Sequence, residues 1–161
     1  MTTYVDAFHK AASAFCDWAE NGSIGAEAAH ARRALCLLVD LYAAALTLPE
    51  SPPCGSEVEA LHVAQDDWQR LYARFGSLPF GYYGVIYDPH TVPPGQPVVG
   101  DLADDLADIY RDIKNGLMLW TAGHQVQAVW HWRHHFGLHW GRHGVDAIRA
   151  LHIWLEQEAE L

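Results

Sequence analysis

Lysine is nearly missing from this chain: Lys10 and Lys114 are the only two, against 20 acidic side chains and a net charge of −10. Without a basic field to displace counterions from phosphates, nucleic-acid binding is excluded as a general property. Cysteine is equally sparse. Cys16, Cys36 and Cys54 are odd in number and show no Cys-x-x-Cys spacing, so neither a disulfide framework nor a zinc knuckle is expected. Cys16 and Cys36 stand among apolar residues and read as small buried thiols. Long hydrophobic runs are also lacking. The most apolar stretch, Ala34 to Leu46, carries Asp40 in its middle and is too short for a bilayer. The first ten residues do not show a basic segment followed by an apolar one, which argues against a signal peptide. No membrane role is expected, and a cytoplasmic location follows by default.

Hydrophobic side chains are plentiful, at 50% of the 161 residues with 12% aromatic. That suits one domain over 1–161 with a substantial core, and it is far too apolar for disorder. Tyr4, Phe8, Ala11, Phe15 and Trp18 recur at helical spacing and predict a first helix, from a Thr2 or Thr3 cap to about Glu20. A second runs from about Ala26 to Leu46 on a stripe of Leu35, Leu38, Tyr42 and Leu46, and Pro49 stops it. Ser56 and Glu59 have capping-box spacing and predict a third helix ending near Phe75. Gly76 to Gly100, with five prolines, lacks helical period and reads as one long Pro/Gly/Tyr-rich loop, with a short extended piece at Tyr82–Tyr87. A fourth helix begins near Asp101 and reaches about Trp120. A fifth covers about Gln125 to Glu158. The fold expected is all-α, a helical bundle of about five helices.

The fourth helix carries an unusual stripe. At roughly 100° per residue, Asp101, Asp105, Asp108 and Asp112 fall within about 60° of arc, with Asp104 beside them. Leu102, Leu106, Ile109, Ile113 and Leu117 form the opposite face. Aspartate is a poor helix former, and carboxylates spaced i,i+4 repel by about 0.2–0.5 kcal/mol per pair. Either the stripe is a solvated face or something cationic lies against it.

The fifth region supplies the candidates: the stripe is expected to face side chains chiefly from 139–152, with His139, Arg142, His143 and Arg149 the nearest concentrated source of donors. His131, His135, His139 and His143 are spaced by four, an inclined row that drifts about 40° per step and extends about 18 Å on an α-helix. His139-x-x-x-His143-x-x-Asp146 is a possible three-ligand face for a divalent metal. The competing reading is structural: half-buried rings that donate hydrogen bonds to the aspartates, beside Trp132, Phe136 and Trp140, which are expected to be largely buried. Gly137, Gly141 and Gly144 share a face and either admit another backbone or mark a break. No His-Glu-x-x-His motif and no adjacent His–Asp pair occurs in this segment.

The runs Gly100–Leu117 (GDLADDLADIYRDIKNGL) and His139–His152 (HWGRHGVDAIRALH) resemble the bacterial domain-of-unknown-function family five-zero-six-three (DUF5063). Leu41-Tyr42, Leu48-Pro49 and Tyr87-Asp88-Pro89 are similar too. The resemblance implies a helical fold and carries no activity with it.

Two functions fit these features. The first is a non-enzymatic, acidic interaction or regulatory module with a structural His–Asp network, whose partner is a basic protein. The alternative is a metal-dependent hydrolase acting on a phosphorylated small molecule. There Asp105, Asp108, Asp112, His139, His143 and Asp146 hold the ion, while Arg111 or Arg149 contacts phosphate. A weaker third idea is an aromatic ligand pocket under Tyr82-Tyr83.

Overall fold

The computed structural model describes residues 2–23, 25–53 and 61–158. Its elements are α1 (Thr2–Asn21), α2 (Glu27–Ala45), α3 (Gln65–Phe75), β1 (Tyr82–Val85), β2 (Val98–Asp101), α4 (Leu102–Thr121), α5 (Gln125–His135), a π turn (Phe136–Trp140) and α6 (Gly141–Glu158). The protein is an all-α bundle with one small hairpin. The expected fifth helix is α5, the π turn and α6 in direct succession.

α4 is the centre of the bundle and packs against α1, α3, α5 and α6. Leu102, Leu106, Ile109 and Ile113 are fully buried, as their spacing predicts, and they meet Phe8 and Phe15 of α1, Phe75 of α3 and Leu151 of α6 in one core. The polar side of α4 is covered as well: Asp105, Asp108, Asp112 and Asn115 are all buried. A helix enclosed all round must find partners for its carboxylates inside the protein. This rules out the solvated-face reading for the inner three aspartates.

Trp132 and Trp140 anchor the last part of the chain, while Phe136, expected to be as deep, is half-buried. Trp132 packs against Phe8 with the rings tilted, 4.9 Å between centroids, and stacks on Trp120 at 5.8 Å. Its Nε1 donates to the Ile113 carbonyl at 3.1 Å. The indole lies directly over Gly116, where a Cβ would come within 2.6 Å of Trp132 Cε2. Glycine at this point is therefore a packing requirement. On the other side of α4, Tyr110 and Lys114 both reach Glu20 of α1, at 2.8 and 2.5 Å.

Several expectations need correction. Cys36 is exposed and only Cys16 is a buried thiol, because residue 36 falls on the outer side of α2; Cys54 lies outside the described residues. α2 ends at Ala45, so Leu46 is 63% exposed instead of completing the apolar stripe. Residues 61–64 are extended or irregular and α3 starts after Ala64; Ser56 and Glu59 lie outside the described residues. In the Pro/Gly/Tyr-rich segment the extended piece expected at Tyr82–Tyr87 forms as Tyr82–Val85, and its pairing with a second strand was not expected. Tyr82–Val85 pairs antiparallel with Val98–Asp101, placing Tyr83 opposite Gly100 and Tyr82 opposite Asp101. Backbone donors in a segment without helical period still need acceptors, and the ladder supplies them.

Candidate functional site

Asp101 ends β2 and caps α4, accepting from the amides of Ala103 at 3.0 Å and Asp104 at 3.4 Å, with the Tyr72 hydroxyl at 2.9 Å. Its place at the helix start explains why an acid is favoured there. The next carboxylates along the stripe point inward to the π turn and α6. His143 Nδ1 lies 2.6 Å from Asp105 Oδ1. His139 Nδ1 lies 2.7 Å from Asp112 Oδ2. His135 Nδ1 is 3.4 Å from Asp112 Oδ1. His131 Nε2 donates to the Asp112 backbone carbonyl at 3.0 Å. The protein thus contains a buried His–Asp network joining α4 to the α5–α6 region.

Asp108 stands between these pairs. Its Oδ1 accepts from Trp68 Nε1 at 2.9 Å and from Arg111 at 2.7 Å. Its Oδ2 lies 3.5 Å from His139 Nε2 and 4.0 Å from His143 Nε2. Tyr83 closes the other end by donating its hydroxyl to Asp105 Oδ2.

The charges respond to this packing. Burial pushes Asp112 upward, but hydrogen bonds from His135 and His139 outweigh it and hold the carboxyl below its ordinary range. The bond to Asp105 raises His143 against the opposing effect of burial, with help from the Asp105, Asp108 and Asp104 charges. Burial, aided by the neighbouring His135, pushes His131 down to about 4, so that ring is neutral at pH 7. Asp104 is raised by burial and by repulsion from Asp108 and Asp105. Burial, and then the bond to Asp105, raise Tyr83.

Of the residues singled out in the sequence, the structure brings together Asp105, Asp108, Arg111, Asp112, His139 and His143. Asp101 is a cap, and Asp104 sits half-buried at the edge. Asp146 and Arg149 turn elsewhere: both line a cavity of about 350 Å³ under the hairpin, with Phe80, Tyr83 and Trp154. That cavity is where the aromatic-pocket idea placed one. Burial and the Asp105 charge raise the Asp146 carboxyl. Arg142 lies over the Tyr87 ring, 4.2 Å from its centroid, and does not face the stripe. Arg111 is held by Asp108 and lies 5.8 Å from the Trp68 ring centroid, so it is committed to the network.

Among the described residues, two groups of side chains have metal-compatible spacing, with one ligand atom from each residue and all three within 4.8 Å: Asp108 with His139 and His143, and Asp112 with His131 and His135. Asp146 belongs to neither, so the three-ligand face read along one helix is replaced by one built across two. Side chains three and four apart on one helix had suggested the former, whereas the buried Asp108 reaches both rings from α4. Sequence reasoning missed Trp68 altogether and named Tyr83 only for an aromatic pocket, since nothing local marks a hydroxyl or an indole as the partner of a distant carboxylate. It passed over His131 and His135 as site members, although their four-residue spacing placed them in the same row.

A helical bundle held on a buried His–Asp network is the class this architecture defines. The family described as "Domain of unknown function (DUF5063)" matches residues 1–157, and the chain belongs to that family. The crystal structure of protein BF1032 from Bacteroides fragilis is similar, with 25% identity and a TM-score of 0.79 over 93% of this chain and 90% of that one. No curated protein matches the sequence. Among the described residues, no helix is long and apolar enough to cross a membrane.

Proposed function

We propose that the protein is a non-enzymatic, acidic interaction or regulatory module of 161 residues in one domain. The observation that carries this reading is the pairing of Asp105, Asp108 and Asp112 with side chains of the same chain. Carboxylates engaged in this way hold elements together and fix their register. The charge offered to a basic protein partner then comes from the outer surface, where Asp6, Asp17, Glu27 and Asp40 are exposed. Attraction of that kind weakens as salt shortens the Debye length to about 8 Å at physiological ionic strength. Titration with an arginine-rich peptide should show binding that falls steeply between low and high salt. Binding that ignores salt would remove the basic-partner reading.

The second reading, a metal-dependent hydrolase of a phosphorylated small molecule, is favoured by the two ligand groups and by Arg149 beside the cavity. Phosphate release from a panel of phosphate esters and nucleotides, with Mg²⁺, Mn²⁺ or Zn²⁺, separates the two. The module reading expects no turnover. Turnover abolished by Asp108→Asn would replace it with the hydrolase.

A further inference from the structure

We infer that Asp108, His139 and His143 form a binding site for one first-row divalent transition-metal cation, with Asp105 and Asp112 as the groups that orient the two imidazoles. The argument starts from proton positions. Carboxylates are acceptors, so the Nδ1 atoms of His143 and His139, at 2.6 Å from Asp105 and 2.7 Å from Asp112, carry hydrogens. In the neutral rings both Nε2 atoms then present lone pairs. They converge on Asp108 Oδ2, at 3.5 and 4.0 Å, too far apart for hydrogen bonds of about 2.7–3.2 Å. Where both rings are neutral, three acceptors meet with no donor among them, an arrangement that either a proton on His143 or a metal cation resolves.

The distances suit a metal. With metal–ligand lengths of about 2.0–2.2 Å, the edges of a tetrahedron come to about 3.4 Å. The His139 edge has that length already, and the His143 edge closes by a small rotation of a half-exposed ring. Asp108 is prepared for the task. Trp68 and Arg111 occupy its Oδ1 and leave Oδ2 free to ligate. Each imidazole donates its other nitrogen to a carboxylate, the outer-shell arrangement that fixes tautomer and raises ligand basicity. Two nitrogens and one oxygen, with a further coordination position open, suit Zn²⁺, Co²⁺ or Ni²⁺ over Ca²⁺ or Mg²⁺. His139 and His143 are 37% and 25% exposed at the side chain, which gives the ion a path in. The second group is less ready, because Asp112 already serves His139 and His131 Nε2 is spent on a backbone carbonyl.

This inference is independent of the module reading: a bound ion without turnover leaves that reading standing. The test is titration of chelator-treated wild-type protein with Co²⁺ and Zn²⁺, followed by calorimetry and by the visible absorption of Co²⁺. One equivalent should bind. Asp108→Asn and His143→Ala should each weaken binding at least 10-fold. The orienting change Asp105→Asn should weaken it about 10–100-fold, and the exposed His152→Ala should leave it unchanged. Circular dichroism checks that each variant is folded. Should the Asp108 and His143 variants unfold, X-ray absorption on Zn²⁺-loaded wild type decides by ligand type: two imidazoles with oxygen support the site, and three or more imidazoles overturn it. Absence of binding at millimolar metal, or binding undiminished in folded Asp108→Asn, also overturns it.

Discussion

Asp105→Asn isolates one charge in the network with almost no change of shape. Asp105 accepts two hydrogen bonds, from His143 Nδ1 and the Tyr83 hydroxyl. An asparagine can turn its oxygen to His143 and its amide to the Tyr83 oxygen, which also accepts. Both contacts survive in neutral form, and only the carboxylate charge is gone. Hydrogen bonds to charged groups contribute about 1.5–3 kcal/mol and neutral ones about 0.5–1.5, so the expected loss is about 1–2 kcal/mol where His143 is protonated. The sign of its pH dependence follows from linkage. His143 is raised in the folded state, with Asp105 as the first cause. Its contribution is therefore fully present below the unfolded value of about 6.5 and is lost as pH rises through the folded one. The gap between wild type and variant should be widest near pH 5.5 and should narrow toward pH 9, with a slope no steeper than about 1.4 kcal/mol per pH unit for one proton. At about 2–4 °C per kcal/mol for a chain of this size, the melting temperature should fall by about 2–8 °C at pH 5.5. Thermal unfolding across pH 5 to 9, with a chelator present to keep metal out, measures this. Parallel curves for the two proteins, or a gap that widens with pH, would refute the pairing of a protonated His143 with Asp105.

Gly116→Ala should destabilise by about 1–3 kcal/mol, because the new Cβ strikes Trp132, even though alanine is the better helix former by about 1 kcal/mol. Gly144→Ala, whose Cβ would sit 3.6 Å from the Tyr42 ring, should be neutral or stabilising by up to about 1 kcal/mol; urea unfolding of both glycine variants measures this. Trp132→Ala should cost about 3–5 kcal/mol; a loss under about 1 kcal/mol would make α5 peripheral. Asp112→Asn and His139→Ala should each cost about 1–3 kcal/mol in chelator, and the double variant should lose less than their sum. Strict additivity in that cycle would mean that the 2.7 Å contact carries no coupling.

The helices were legible because their apolar residues repeat. Leu102, Leu106, Ile109 and Ile113 predicted both the existence of α4 and its buried side, and Trp132 and Trp140 predicted the depth of the last segment. The self-repelling aspartates, in a chain with two lysines, predicted histidine partners near 139–143. Arg142 and Arg149 were expected to join them, and neither does. An arginine's length lets it stack on Tyr87 or line a cavity as readily as pair with an acid, so its spacing along the chain constrains it weakly. Asp146 misled for a related reason. It shares a helical face with His143, yet the carboxylate that reaches both rings comes from another element, and periodicity describes one helix at a time. Tyr83 and Trp68 were illegible because their contacts span 22 and 40 residues.

The histidine row shows how a local departure from α-geometry assembles the site. On an uninterrupted α-helix, residues four apart advance past a full turn, and a row of four histidines would wind away from the straight stripe on α4. The structure places a π turn at Phe136–Trp140, between His135 and His143. There the Gly141 amide donates to the carbonyl of Phe136, five residues back. A Cβ on residue 141 would lie 2.9 Å from Phe136 Cδ2, so glycine at that position lets the wider turn close. With i→i+5 bonding a turn holds more residues, and a four-residue step falls short of the full circle. The drift across the π turn therefore opposes the drift in α5. His131, His135 and His139 all stay within reach of Asp112, and His139 and His143 both reach Asp108. Gly141 thus belongs to the network although it touches no carboxylate: it lets the histidine face of the α5–α6 region follow the carboxylate face of α4.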